Sequence, residues 1–144
     1  MTQKTDFEDI KAEILNRAKA AKACTKQYSR AYKSETLQEL CSVIKDNFNW
    51  CFNNKVITSN LLTQYREDFA QNDIFINISV RSGFLLCDNA TVEACGNVTV
   101  EACGNAYCTS RCIIECKLSN NAIYRVKSTN TVYYSSDNIN FIKQ

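Results

Sequence analysis

A short repeat with a period of eight residues constrains this chain more than any other feature of its sequence. Residues 90–97 read ATVEACGN and residues 98–105 read VTVEACGN, so the two copies differ at their first position only. Residue pairs typical of turns continue on the same spacing, at Asp88-Asn89, Gly96-Asn97, Gly104-Asn105, Asn120-Asn121, Ser128-Thr129 and Ser136-Asp137. Cys112-Ile113 interrupts this series. The octad pattern therefore extends well beyond its two clearest copies.

An even period keeps each face of a β-strand constant from one repeat to the next, because successive side chains point to opposite sides. In the two copies the even-numbered positions hold Val, Ala and Gly, and the odd-numbered positions hold Thr, Glu, Cys and Asn. The small apolar residues at the even-numbered positions are expected to face inward, toward the core. We expect the same inward direction at further even-numbered positions, namely Ile74, Ile76, Ile78, Val80, Phe84, Leu86, Cys108, Cys112, Ile114, Cys116, Leu118, Ala122, Tyr124, Val126, Val132 and Tyr134.

This parity favours a β-solenoid, in which each octad forms one side of a coil and equivalent positions stack. Antiparallel hairpins would instead bring Glu93 and Val100 to the same face, which mixes charged and apolar columns. Two octads per coil would stack Val92 on Cys108 and Tyr124, and three octads per coil is the alternative. Gly and Asn at the corners tolerate left-handed backbone angles.

The string DNATVEACGNVTVEACGNA (Asp88–Ala106) resembles the octapeptide arrays, of the form xATVxAxGN, of many uncharacterised phage and mobile-element proteins. The resemblance is strong over these residues and weak over the rest of the C-terminal third. It implies a repeat architecture and a viral or prophage origin, and it carries over no catalytic residues.

The N-terminal half has a helical pattern. About three helices are expected in residues 1–73, the first from Asp6 to about Lys33 with a break near Cys24, the second capped by Thr36 and the third by Thr58 or Ser59. The predicted fold is thus α+β: an N-terminal helical bundle that caps a C-terminal β-solenoid of about seven octad sides, residues 74–144. The tail Ser135–Gln144 is expected to cover the other end.

The first helix is predicted to be amphipathic. Its apolar side would carry Phe7, Ile10, Ile14, Ala21, Tyr28 and Tyr32. The opposite side would carry an unbalanced basic stripe of Lys19, Lys22, Lys26, Arg30 and Lys33. This stripe is either a solvated polar face or a candidate surface for a nucleic acid or an acidic protein.

Composition narrows the class of protein. The 144 residues include nine cysteines but no histidine, so the commonest general base and metal ligand is absent. The net charge is only +2, and no apolar run approaches the ~18 residues of a membrane span. We therefore expect a cytoplasmic protein with free thiols and no membrane partner, in the host cytosol if it is phage-encoded.

The cysteines are the densest reactive group. Cys108, Cys112 and Cys116 are spaced permissively for zinc, but on strands they would all point inward with Cys103, so packing is favoured over a metal site. Cys87, Cys95 and Cys103 would form a ladder or pair up along one edge. No cofactor, metal or catalytic residue is predicted.

Two functions remain. The first is a non-enzymatic macromolecular interaction protein, such as an inhibitor of a host enzyme or defence complex. It would bind through the basic helix or through the outward face of the repeat, which carries Thr91, Glu93, Thr99 and Glu101. The alternative is a nucleic-acid-binding module that uses the basic stripe. A homodimer is also compatible with a repeat array.

Overall fold

The computed structural model describes residues 4–135, with side chains from residue 6 onward. The chain is of mixed α/β class, with an N-terminal helical segment followed by a mostly parallel β-sheet. It divides into two compact units between Asn72 and Asp73. The helices of the described residues are α1 (Lys4–Ala20), α2 (Thr25–Lys33), α3 (Leu37–Asp46), α4 (Phe48–Asn53), α5 (Ser59–Gln64) and α6 (Arg66–Ala70).

The long first helix predicted from Asp6 to Lys33 is two helices. Lys22 adopts a left-handed conformation with φ of 60°. The Ala23 N–H donates to the Ala18 carbonyl at 2.9 Å and the Lys22 N–H to the Lys19 carbonyl at 3.0 Å, which together form a Schellman termination. The break predicted near Cys24 is confirmed, and the helical phase restarts at Thr25.

Because the helix restarts at Thr25, the apolar side predicted for the long first helix is wrong in its second part. Ile10 and Ile14 are buried as expected, but Tyr32 is 63% exposed and Ala31 is the buried residue of α2. The Tyr32 ring instead lies beside the Lys11 ammonium, 5.8 Å from the ring centroid. Two helices of different phase cannot share one apolar stripe. A single helical period applied across the break therefore places Tyr32 on the wrong side.

Both predicted helix caps are confirmed. The Thr36 hydroxyl accepts a hydrogen bond from the Glu39 N–H at 3.2 Å, and the Glu39 carboxylate accepts from the Glu35 N–H at 3.0 Å. The Thr58 hydroxyl accepts from the Leu61 N–H at 3.2 Å, so Thr58 and not Ser59 is the cap. The two threonine bonds satisfy N–H groups that a helix start leaves without partners.

The strands are β1 (Ile74–Ile76), β2 (Val80–Asp88), β3 (Thr91–Cys103), β4 (Tyr107–Ser110), β5 (Glu115–Leu118), β6 (Ile123–Val126) and β7 (Thr131–Tyr134). They form one sheet in the order β1-β2-β3-β4-β6-β7, and β5 pairs separately with β3. Strand β3 supplies two stretches of the sheet, because its first half pairs with β4 and its second half with β5. Gly96, with φ of 71°, lies between the two halves.

The parallel pairs of β3 to β6 share one offset of sixteen residues. Val92 pairs with Cys108, and Cys108 with Tyr124, as predicted for two octads. In the second half of β3, Val100 pairs with Cys116 at the same offset. The even positions from Val92 to Val126 are buried in one cluster, except at Gly96, Gly104, Ser110, Cys112 and Asn120. The inward parity is therefore confirmed over the central repeat.

Upstream of the repeat the predicted inward parity holds at Val80, which packs against the core cluster, but it is wrong at the other predicted positions of β1 and β2. The pairing of β2 with β3 shifts between Val80 and Ser82, after which the offset is fifteen residues and Leu85 pairs with Val100. An odd offset exchanges the two faces of a strand. Leu85 and Cys87 consequently join the core cluster, whereas Ile74, Ile76 and Leu86 are buried outside it and Ile78 is exposed.

Downstream the chain reverses instead of continuing on its octad spacing. Strand β7 pairs with β6 in antiparallel register, with Tyr124 opposite Tyr133. Tyr133 is thus turned toward the core cluster, and the predicted inward residues Val132 and Tyr134 are exposed. Five octad stretches pair at the sixteen-residue offset, from Thr91 to Val126, whereas about seven octad sides were predicted. The turn pair Ser136-Asp137 and most of the predicted C-terminal cap lie outside the described residues.

The corners between strands are held by asparagine side chains. The Asn89 side-chain oxygen accepts from the Asn105 N–H at 2.8 Å, and that of Asn120 accepts from the Gly104 N–H at 3.2 Å. Asn89, Gly104 and Asn120 have positive φ angles of 55°, 62° and 58°, which confirms the predicted left-handed corners. Successive corners are sixteen residues apart and bonded to each other, which stabilises the register of the strands between them.

Candidate functional site

One surface of the C-terminal unit collects side chains from four strands. The pairing places Thr91, Tyr107, Ile123 and Tyr134 in one row, and Glu93, Thr109, Arg125 and Val132 in a second row. Alternate residues of a strand share a side, so both rows lie opposite the core cluster. We call these eight residues the outer face.

The apolar members of the outer face are accessible to solvent. Tyr134 is 47% exposed and Val132 is 38% exposed. Tyr107 and Ile123 beside them are half-buried. Tyrosine is enriched in protein–protein interfaces because its ring buries a large area at low cost in side-chain entropy. A contiguous row of this kind marks a surface suited to contact with another macromolecule.

Polar bonds hold the charged members of the outer face in place. The Arg125 guanidinium donates from Nε and Nη2 to the Asn130 side-chain oxygen, at 3.1 and 2.9 Å. Glu93 forms an ion pair with Lys127. A hydrogen bond from the Lys127 ammonium, supported by its positive charge, lowers the pKa of the exposed Glu93 carboxyl. The Glu93 carboxylate is therefore paired with a cation, and the Arg125 guanidinium is held in position by Asn130.

The four residues predicted for the outward face of the repeat lie in two different places. Thr91 and Glu93 lie on the outer face, whereas Thr99 and Glu101 lie in the second half of β3, beside β2 and β5. Glu101 is only 1% exposed, so its predicted solvent exposure is wrong. The parity exchange in β2 places Leu86 next to Glu101, and Leu86 itself is fully buried.

The predicted basic stripe is exposed but not continuous. Lys19 lies near the end of α1, Lys22 occupies the left-handed break, and Lys26, Arg30 and Lys33 lie on α2. Arg30 also forms an ion pair with Asp46 of α3 at 3.0 Å, although residues 19–34 include no acidic residue. The nucleic-acid alternative stays a prediction, and its five cations do not form one helical face.

The cysteines occupy different environments. Cys87, Cys108 and Cys116 belong to the core cluster, Cys103 is buried, Cys95 is half-exposed and Cys112 is exposed. The inward prediction for Cys112 is wrong because residues 111–114 form no strand. The predicted ladder of Cys87, Cys95 and Cys103 is also absent, since Cys87 pairs with Ala102 and Cys103 with Asp88. Among the described residues, no three Cys, Asp or Glu side chains are grouped to hold a metal ion.

The helical unit contains a second candidate site, a cavity of about 280 Å³. Helices α1, α2, α3 and α4 and the segments after α1 and α4 contribute its walls. We call it the helical cavity. Its lining is Ile14, Ala18, Ala23, Cys24, Gln27, Tyr28, Ala31, Leu40, Val43, Ile44, Asn47, Trp50, Cys51 and Val56.

Sequence reasoning missed most of both sites. Tyr107 and Ile123 stand sixteen and thirty-two residues after Thr91, so the predicted stacking of every second octad could have placed them beside Thr91. Val132 and Tyr134 had no such signal, because the reversal after β6 depends on pairing between strands. The helical cavity depends on how closely the helices approach, which periodicity does not describe.

Comparison with known proteins identifies no relative of this chain. No family model matches the chain, and no curated protein or solved structure is significantly similar to it. In the part of the chain that the structure describes, no helix combines the length and the apolar composition needed to cross a membrane.

Proposed function

We propose that this protein is a non-enzymatic macromolecular interaction protein that binds another protein through the outer face. The observation that carries the proposal is the apolar row of that face, in which the exposed Tyr134 and the half-buried Tyr107 and Ile123 stand side by side on paired strands. Side chains of this type supply most of the binding energy in protein interfaces when they are covered.

We also propose that the C-terminal unit is a β-solenoid with two octads per coil. The repeated offset of sixteen residues and the bonded asparagine corners support this architecture. Stacked coils place equivalent side chains at the ~4.8 Å spacing of paired strands, which produces a flat and rigid surface. Capping of this solenoid by the helical bundle stays a prediction.

The chemistry of the outer face favours a protein partner over a nucleic acid. A phosphate backbone requires several cations that are free to neutralise it. The outer face offers a single guanidinium, which Asn130 already positions, and a carboxylate that is paired with Lys127. The matching partner surface is apolar at its centre and polar at its rim.

The resemblance to octapeptide proteins of phages and mobile elements leads to a more specific proposal. The partner would be a host enzyme or defence complex that the protein inhibits by occupying its surface in the host cytosol. Such an inhibitor needs a rigid binding face and no chemistry of its own.

Affinity capture from host lysate, with and without nuclease treatment, tests this function. The test variant combines Val132→Thr with Tyr134→Thr, since threonine keeps strand propensity while it removes apolar area. The matched control is Ile78→Thr, because Ile78 is 38% exposed, as Val132 is, but lies outside the outer face. Circular dichroism and the unfolding midpoint establish that all three proteins are folded.

We expect one protein to be captured in stoichiometric amount by the wild type and by Ile78→Thr, and to be lost with the double variant. Equal capture by all three proteins would contradict the role of the outer face. Capture of nucleic acid only, before nuclease treatment, would support the basic-stripe alternative instead. If the wild type captures nothing but forms dimers that the double variant does not form, the face binds a second copy of the chain.

A further inference from the structure

The helical cavity is a second site of a different kind from the outer face. Its walls come from four helices, and most of its lining is apolar. Folded cores are normally packed as densely as organic crystals, so an opening of this size within a helical unit needs an explanation. Three of its lining residues are alanines, at positions 18, 23 and 31, where longer apolar side chains would fill the space.

The lining determines the charge of a suitable ligand. It includes no Asp, Glu, Lys or Arg side chain. A charged group placed among these walls would lose its hydration without gaining a partner of opposite sign. A suitable ligand is therefore uncharged, and the volume of about 280 Å³ restricts it to a small molecule.

Two amide side chains provide polar specificity. The Gln27 oxygen accepts from the Asn47 amide at 3.1 Å and from Arg30 Nη1 at 2.9 Å. The Asn47 amide nitrogen also donates to the Val43 carbonyl at 2.8 Å. These bonds orient both amides. Among the described residues the Gln27 nitrogen and the Asn47 oxygen have no hydrogen-bond partner, so they can serve as a donor and an acceptor.

Aromatic residues complete the lining. Tyr28 and Trp50 both contribute to the cavity wall. Aromatic rings pack favourably against other planar rings in offset or edge-to-face arrangements. We propose that the helical cavity binds a small, uncharged aromatic molecule, which exchanges hydrogen bonds with the Gln27 and Asn47 side chains.

The chain carries two built-in reporters for this test. Trp50 is the single tryptophan of the sequence, so tryptophan emission reports on the cavity wall alone. Cys24 also lines the cavity and is exposed, so its alkylation rate reports on access. Cys112 is an exposed thiol in the C-terminal unit and serves as the internal control.

The probe is N-phenyl-1-naphthylamine, an uncharged aromatic dye that absorbs where tryptophan emits. Its sulfonated analogue, 1-anilinonaphthalene-8-sulfonate, has the same rings and one negative charge. The test variant is Ala18→Leu, which fills the cavity from α1. The matched control is Ala20→Leu, the same substitution at an exposed position of the same helix.

We expect saturable binding of one naphthylamine per chain, with loss of Trp50 emission and slower alkylation of Cys24 but not of Cys112. The sulfonated dye should bind about tenfold more weakly, because its charge must be desolvated. Ala18→Leu should weaken naphthylamine binding about tenfold by steric filling, and Ala20→Leu should not.

Non-saturable binding, unchanged Trp50 emission, or equal affinity for the two dyes would overturn the proposal. Equal affinity of the two leucine variants would also overturn it. If Ala18→Leu does not fold, the Cys24 alkylation rate of the wild type, with and without the naphthylamine, decides the question: an unchanged rate contradicts occupancy of the cavity.

Discussion

Tyr124 and Tyr133 stack across the β6–β7 hairpin with their ring centroids 6.0 Å apart and an interplanar angle of 19°. Tyr124 is fully buried, and its hydroxyl bonds with the Ser110 hydroxyl at 2.5 Å and accepts from the Ile114 N–H at 3.1 Å. One side chain thus joins β6 to β4, to β7 and to the irregular segment before β5. The end of the repeat is organised around this contact.

Tyr124→Phe should destabilise the protein by about 1–3 kcal/mol, because the buried Ile114 N–H loses its acceptor. Tyr133→Phe is the matched control, since the Tyr133 hydroxyl has no hydrogen bond to the described residues and its ring stacking is kept. Urea unfolding of both variants provides the measurement. Equal destabilisation by the two substitutions would show that the Tyr124 hydroxyl does not stabilise this end of the sheet.

Gly104→Ala should cost more than about 1 kcal/mol, because Gly104 has φ of 62° and an added Cβ would collide with the Asn89 and Asp88 side chains. Thermal unfolding compares this variant with Asn105→Ala at the exposed neighbouring position, which keeps its backbone N–H bond to Asn89. A Gly104→Ala protein as stable as Asn105→Ala would contradict the tight asparagine corner.

The Glu93 carboxyl should titrate below its ordinary pKa, because Lys127 donates a hydrogen bond to it and carries the opposite charge. A pKa that is lowered in the folded state contributes stability above the unfolded pKa, and this contribution is lost as the pH falls through the folded pKa. NMR titration of the Glu93 side-chain carboxyl should show a midpoint that returns to the ordinary value in Lys127→Ala. A midpoint that this substitution leaves unchanged would rule out the ion pair in solution.

Thiol reactivity should separate the cysteines by burial. Burial raises the pKa of Cys41, Cys51, Cys87 and Cys103 to about 12, so almost none of these thiols is ionised at neutral pH. Native alkylation followed by peptide mass spectrometry should therefore modify Cys24 and Cys112 first, since both are exposed. In urea all nine cysteines should react at similar rates. Rapid native alkylation of Cys87 would contradict the placement of that residue in the core.

The central register could be predicted from the sequence because its signal is local and repeated. An even period preserves parity, so the pairing of Val92 with Cys108 follows from residue numbers once two octads form a coil. The two ends could not be predicted in this way. A one-residue shift between Val80 and Ser82 exchanges the faces of β2, and the contact of Tyr124 with Tyr133 accompanies a reversal of the chain.

Only the outer-face residues that belong to the regular repeat were predicted from the sequence. Thr91 and Glu93 belong to the regular repeat and lie on the outer face as outward residues. Glu101 has an equivalent place in its octad, yet it is buried, because its neighbour across the strand pair is Leu86 of the shifted β2. Octad position alone therefore predicts the direction of a side chain but not what covers it.

The most direct test of the sixteen-residue coil is an NMR measurement of backbone contacts. The Tyr107 N–H donates to the Ala90 carbonyl and the Ile123 N–H to the Ala106 carbonyl, both at 2.9 Å, and the Ser119 N–H donates to the Ala102 carbonyl at 3.0 Å. Nuclear Overhauser effects between the backbone protons of these strands should therefore connect residues sixteen to seventeen positions apart at all three places. Contacts about twenty-four residues apart, or contacts between antiparallel octads within residues 90–126, would contradict the two-octad coil.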